Sequence, residues 1–306
     1  MRILVALGGN ALLCRGQLAD GATQRRNVEE AAAGLAELAD DHEVIITHGD
    51  GPQIGLPELQ SESYRSVTPY PLDVLGAESQ GMVGHLLEVA LRNRLPEQEI
   101  VTVLTETVVD PADPAFGEPT KPIGPVYSSS EATRLRAERG WVMGRDGDRW
   151  RRLVPSLQPQ AISELRSLRL LVDAGVMVIC VGGGGILVTV GADGRLRGIE
   201  GVVDKDLTAA LLARRLEAEL LLLFTDVDAV HLDWGTPRDH PLSQAAADQL
   251  RAMSFAAGSM GPKVEAACRF VEATGRTAAI GALGDAARIV RGEAGTRVTP
   301  QPSAVR

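Results

Sequence analysis

Short apolar runs, each stopped by glycine or aspartate, recur along the chain. Ile3 to Leu7 ends at Gly8-Gly9, and Val44 to Thr47 ends at His48-Gly49-Asp50-Gly51. Ile100 to Leu104 is a third run, Val176 to Val181 a fourth that ends in Gly182 to Gly185, and Leu220 to Phe224 a fifth that ends at Thr225-Asp226. Continuous rather than alternating apolar runs are the pattern of strands buried on both faces. Thr23 to Leu38, Val74 to Arg94 and Leu207 to Leu216 have helical length and composition. This alternation predicts an α/β fold with a mainly parallel sheet. In such sheets ligands gather beyond the carboxyl ends of the strands, where these glycine loops fall, so the loops are expected to share one crevice.

Between Asp110 and Val154 the alternation stops. A proline-rich stretch leads into a hairpin pattern, Trp141 to Met143 and Trp150 to Val154 around Asp146-Gly147, which predicts an inserted flap. A second hairpin is predicted at Asp193-Gly194, between Ile186 to Val190 and Leu196 to Ile199. No internal repeat interrupts this order, and the tail after Val298 is expected to be loose.

The 306 residues suffice for one large α/β unit or two lobes sharing a sheet. A formal charge of −9 argues against nonspecific nucleic-acid binding, so any anion site must be local. Cys14, Cys180 and Cys268 lack disulfide-framework or metal-ligand spacing, which fits a reducing cytoplasm. The chain opens on an apolar run without a basic leader, and no run reaches transmembrane length, so neither export nor membrane insertion is expected. Only three of the 31 basic residues are lysines: Lys121, Lys205 and Lys263. Lysine is a compact charge that can meet a phosphate oxygen from a single direction, whereas arginine is a planar fork. A coding bias toward arginine is the alternative account of that scarcity.

Glycine loops after buried strands let backbone N–H groups approach an anion, and phosphate is a natural ligand. A single such loop is weak evidence, because glycine is also the ordinary way out of a strand; three strengthen the case. No lysine sits in a Walker A context, and Leu187 and Val188 occupy the place of the third small residue of a dinucleotide fingerprint after Gly182 to Gly185. Asp204-Lys205-Asp206 could aim an ammonium held between carboxylates at a transferring phosphoryl group, or could be an acidic helix start with a solvated lysine. Asp226 and Asp228 could touch a metal-nucleotide or its ribose, or form a turn. His48 beside a glycine turn is more often structural than catalytic.

Several longer segments resemble the carbamate kinases of the amino-acid kinase family, from Val5 almost to Val298. The residues are A-L-G-G-N-A-L (Ala6 to Leu12), H-G-x-G-P-Q (His48 to Gln53), L-G-A-E-S-Q-G-M (Leu75 to Met82) and D-P-A-F-G-E-P-T-K-P-I-G-P (Asp113 to Pro125). Downstream come G-G-G-G-I (Gly182 to Ile186), V-D-K-D (Val203 to Asp206), T-D-V-D (Thr225 to Asp228) and G-S-M-G-P-K-V (Gly258 to Val264). The T-K-P-I-G-P flap favours carbamate kinase over acetylglutamate, glutamate or uridylate kinases of the same fold. The resemblance implies a three-layer α/β/α sandwich with a flap subdomain at about 110–154. Residues 1–200 would form the acceptor lobe for carbamate or carbamoyl phosphate, and 201–306 the nucleotide lobe.

The resemblance also implies reversible phosphoryl transfer between ATP and carbamate with Mg²⁺ on the nucleotide, a cytoplasmic homodimer and a place in arginine metabolism. Lys121 would reach in from the flap, Lys205 would neutralise the transferring group with Asp204 orienting it, and Lys263 would lie near the nucleotide phosphates. Gly8, Gly9, Asn10, Gly49, Asp50 and Gly51 would cradle the acceptor. Lys205, Thr225, Asp226, Val227, Met260, Gly261 and Lys263 would bind nucleotide, and no side chain is expected to be a dedicated metal ligand. Asp50 stands where the family has Asn, which bears on acceptor identity or activity, and Leu187 stands where it has Pro, a matter of loop stiffness. Asp50 could be protonated, paired with a cation, matched to another acceptor, or turned away. A kinase for another small acid or phosphate, and a non-catalytic nucleotide or carbamoyl-phosphate sensor, are the alternative functions.

Overall fold

The structure is a computed structural model that describes residues 1–13, 17, 20–64, 66–255 and 260–300. Among them, eight strands form the central sheet. From edge to edge they are Gln244–Ala246, Thr296–Thr299, Thr277–Ala282, Leu220–Thr225, Arg2–Leu7, Glu43–His48, Met177–Ile179 and Ile100–Thr102. The strands run parallel from Thr277–Ala282 to Ile100–Thr102; Thr296–Thr299 is antiparallel to its neighbour Thr277–Ala282.

Period-two geometry sends successive side chains of each strand to opposite faces. Ile3, Val5 and Leu7 therefore join Val28, Leu35, Leu87 and Leu91 of the Gly21–Ala39 and Leu72–Arg92 helices on one face. Leu4 and Ala6 join Leu168, Leu212 and Phe270 on the other, where Leu165–Asp173, Lys205–Arg215 and Met260–Thr274 pack. The result is the expected three-layer α/β/α sandwich. Leu220–Thr225 pairs with Arg2–Leu7 at the centre, so chain from both sides of residue 200 shares one sheet and one pair of cores.

The predicted hairpins are Val142–Asp146 with Arg149–Val154, and Ile186–Val190 with Leu196–Gly198. The first gains a third strand, Lys121–Tyr127, and the Ser129–Arg139 helix, to make the flap. That helix escaped the periodicity because it buries only Ala132 and Leu135; its start is set instead by a capping box between Ser128 and Glu131. Gly51–Ser63 is also helical despite an internal Pro57. Thr299 completes the Thr296–Thr299 strand, second from the edge of the sheet, rather than belonging to a loose tail, and the tail residues 301–306 lie outside the described residues, as does Cys14.

Arg152 ties the flap to the body. Its guanidinium meets Glu58 at 3.5 Å, pairs with Glu200 and lies 4.3 Å from the centre of the Trp141 ring. Glu200 in turn accepts from the backbone N–H of Leu72 at 2.9 Å. Burial raises the Glu58 carboxyl above its ordinary value, and Arg152 works against that rise. Removing Arg152 strands a buried carboxylate, a change that typically costs about 3–5 kcal/mol. Arg152→Ala should show a loss of that order in urea unfolding at neutral pH. The loss should shrink as pH falls, because Glu58 then takes up a proton and no longer needs a cation.

Candidate active site

The glycine loops open onto one cleft of about 860 Å³. Its floor is Gly8, Gly9 and Gly49, one wall is Asp50 with Gly182, Gly183 and Gly185, and a further wall is Asp204 to Asp206 with Thr225, Asp226, Pro262 and Lys263. Lys121 to Pro125 and Arg151 of the flap form the roof.

Gly182 to Gly185 shows why glycine is needed here. Gly183, Gly184 and Gly185 have φ of 66°, 100° and 98°, a left-handed series that side chains rarely adopt. A Cβ on Gly182 would come 2.4 Å from the His48 ring, and one on Gly185 would come 2.1 Å from Thr107 Oγ1. Val181, just before, is itself at φ 54°, strained for a β-branched residue. Gly49 serves a different end: a Cβ there would meet Gly9 N at 2.9 Å and the Lys205 stem at 3.1 Å. Its absence lets the lysine lie across the floor.

His48 is buried against this loop, with Nδ1 3.3 Å from the Gly49 carbonyl oxygen. Burial first, opposed by that carbonyl and aided by Lys205, lowers its pKa to about 4, so the ring is neutral at physiological pH and fills structure.

The central electrostatic feature is Asp206. Lys205 Nζ donates to Asp206 Oδ1 at 2.5 Å, and Lys263 Nζ donates to Asp206 Oδ2 at 2.9 Å. Burial acts to raise the Asp206 carboxyl, and the two ammonium groups outweigh it and hold the carboxyl below its ordinary value. Burial lowers Lys205, and Asp206 pulls it back. Asp204 has a different task. It caps the Lys205–Arg215 helix by accepting from Asp206 N at 3.0 Å, and its other oxygen faces the flap's Lys121 Nζ at 3.9 Å. The carboxylate that holds Lys205 is thus Asp206, where the resemblance suggested Asp204.

Two lysines on one buried carboxylate leave that triad with one surplus positive charge, in a cleft lined by several glycine loops. Such a place suits the transfer of an anionic group. Residues 1–281 match the amino acid kinase family. A carbamate kinase from Rhizobium meliloti is 51% identical over 302 residues, spanning 98% of this chain and 93% of that protein. One from Haemophilus influenzae is 47% identical over 306 residues, spanning 100% of this chain and 99% of its own length. The solved carbamate kinase from Giardia lamblia bound to AMP-PNP has a TM-score of 0.92 at 37% identity, covering 97% of this chain and 98% of that one. This chain belongs to the carbamate kinases of the amino acid kinase family.

Most of the residues singled out in the carbamate kinase motifs converge on the cleft. Gly8, Gly9, Gly49, Asp50, Lys121, Asp204, Lys205, Thr225, Asp226 and Lys263 line it. Asn10 and Gly51 lie in the first turns of the Gly9–Leu12 and Gly51–Ser63 helices. Val227 follows the lining pair Thr225-Asp226 and is half-buried, while Met260 and Gly261 start the helix that carries Lys263. Gly258 and Ser259 of the same motif lie outside the described residues. Asp206 was read only as one of two carboxylates flanking Lys205; its pairing with Lys263 was missed because that partner is 57 residues away. Ser79, whose hydroxyl donates to Asp50, was missed too, although it sits inside the quoted L-G-A-E-S-Q-G-M segment.

Asp206→Asn should leave two buried ammonium groups facing a neutral amide, at a cost of about 3–5 kcal/mol in denaturant unfolding at neutral pH. The folded Asp206 titrates below its unfolded value of about 3.9. Its stabilisation is therefore complete above that value and drains away as pH falls through the folded one. The variant should lose that acid-dependent component.

Proposed function

We propose that this chain is a carbamate kinase that transfers a phosphoryl group reversibly between ATP and carbamate, making ATP and carbamate from ADP and carbamoyl phosphate in one direction. The observation that carries this reading is the convergence of Lys205 and Lys263 on Asp206 at the glycine-lined cleft. Lys121 stands across from them on the flap.

The residues divide the work by position. Nucleotide lies on the 201–306 side, against Thr225, Asp226, Val227, Met260 and Gly261, and the acceptor lies on the 1–200 side, against Gly8, Gly9, Asn10, Gly49 and Gly51. A carbamate kinase bound to a triphosphate analogue supports nucleotide in this cleft. Lys205 and Lys263 stand where the transferring group would pass between the two sides, and their fixed ammonium groups stabilise charge developing on its oxygens. Asp206 keeps both in place, and the Asp204 cap fixes the helix that starts at Lys205. Lys121 reaches the same region from the roof.

Mg²⁺ fits this arrangement as an ion carried on the nucleotide phosphates, where it neutralises their charge. Asp206 is already taken by two lysines, and among the described residues no group of three or more His, Cys, Asp or Glu side chains is placed to hold a metal ion. The same reading extends to a homodimer and to a cytoplasmic setting within arginine metabolism. Free, buried Cys180 and Cys268 accord with a reducing compartment, and among the described residues no helix is long and apolar enough to cross a membrane.

The deciding assay is ATP formation from carbamoyl phosphate and Mg-ADP by the purified protein. Turnover supports the reading; binding of both ligands without turnover makes the chain a sensor instead. Lys205→Ala should keep the fold, since Lys263 still pairs Asp206, and should lower turnover by about 10²–10³, the usual loss for a preorganised donor. Near-normal turnover in a folded variant removes Lys205 from the mechanism.

The flap is proposed to close over bound ligands and exclude water. Amide hydrogen exchange across 110–154 should slow with saturating Mg-ADP and carbamoyl phosphate together, and an unchanged pattern counts against closure.

A further inference from the structure

Asp50 puts a carboxyl group into the wall assigned to an anionic acceptor. It is 7% exposed and lines the cleft, so it does not point away. It occupies the N-cap position of the Gly51–Ser63 helix, but its side chain makes no capping hydrogen bond. Instead Oδ2 accepts from the Ser79 hydroxyl. Both carboxyl oxygens pack over Gly183, where a Cβ would come 2.3 Å from Oδ1, so the glycine loop is shaped around this group.

The charges around the group do not neutralise it. Lys205 and Lys263 are engaged with Asp206, and Lys121 faces Asp204. Arg151 on the roof pairs with Asp146, and Asp73 on the neighbouring helix adds a negative charge to the cleft. His48, two residues before Asp50, is neutral at physiological pH. Among the described residues no cation forms an ion pair with Asp50. Burial raises its carboxyl above the ordinary value, against smaller opposing effects of the Ser79 hydroxyl and its own backbone N–H.

An ionised Asp50 would set two like charges side by side in a water-poor wall. A neutral carboxylic acid has one oxygen that accepts and one hydroxyl that donates, and here Ser79 donates to Oδ2 while no cation among the described residues pairs with the group to hold it ionised. We propose that Asp50 works as a neutral acid, with Oδ2 accepting from Ser79 and the hydroxyl at Oδ1 donating to an anionic oxygen of the acceptor. This inference rests on the carbamate reading above. It makes Asp50 a specificity residue that recognises the acceptor only while protonated.

The test is kcat/KM for carbamoyl phosphate against pH in the wild type, Asp50→Asn and Ser79→Ala. The wild type should lose about tenfold per pH unit above the Asp50 pKa. Asp50→Asn keeps a neutral donor at every pH, so this limb should disappear and the variant should exceed the wild type by at least about tenfold at the alkaline end. Ser79→Ala removes a donor that favours the ionised form, so its limb should move to higher pH. An infrared pH titration should show a protonated carboxyl band in the wild type that is missing from Asp50→Asn, whether or not either protein turns over. The same alkaline limb in Asp50→Asn, or no such band, overturns the proposal. Wild type without turnover at any pH overturns the carbamate reading and the acceptor contact with it, while the band still decides whether Asp50 is protonated.

Discussion

A single buried carboxylate organises the cleft. Asp206 accepts from lysines on two helices, its own and the Met260–Thr274 helix, and so fixes the angle at which both ammonium groups face the open space. Removing three charged groups from water carries a desolvation cost that pairing only partly returns. The fold meets this cost with two packed cores on either side of one sheet. What the protein obtains is a pair of ammonium groups held in fixed positions, and preorganised charge of this kind stabilises a transferring phosphoryl group without reorganisation during the reaction.

The glycine loops are the steric counterpart of that charge. Lys205 can cross the floor only because Gly49 has no side chain, and the Asp50 carboxyl can lie on the wall only because Gly183 has none. The left-handed backbone from Gly183 to Gly185 runs through the same crowded region, with His48 against Gly182 and Thr107 against Gly185. The neutral His48 ring is therefore a packing element placed within a charged site, and its lowered pKa is a result of burial.

The flap is attached differently. Ile123 and Val154 pack with Leu72 of the body, and Arg152 bridges to Glu58 and Glu200. Its own core is small, built on Tyr127, Ala132, Leu135 and Met143. Ala115 and Phe116 add a second apolar contact with the body, and Lys121 faces Asp204, so the way the flap is seated sets where Lys121 stands.

The amino-acid sequence by itself determined the architecture and much of the site. Continuous apolar runs are legible because strands covered on both faces need no polar alternation, and each run led into a glycine loop whose place at the sheet edge followed from the βα order. The scarcity of lysine pointed to Lys121, Lys205 and Lys263. Elements with a weak apolar stripe were not legible: Ser129–Arg139 depends on its capping box, and Gly51–Ser63 carries a proline. Only the tertiary structure decided which carboxylate serves which lysine. Asp204 and Asp206 flank Lys205 equally in the chain, but the helix that starts there spends Asp204 on its own N-terminus and turns Asp206 toward Lys263. The environment of Asp50 was likewise a three-dimensional matter, because burial, Ser79 and Gly183 reach it from elements far apart in sequence. Sequence spacing sets what can lie on one strand or helix, whereas ion pairing and desolvation depend on distances across the packed sheet.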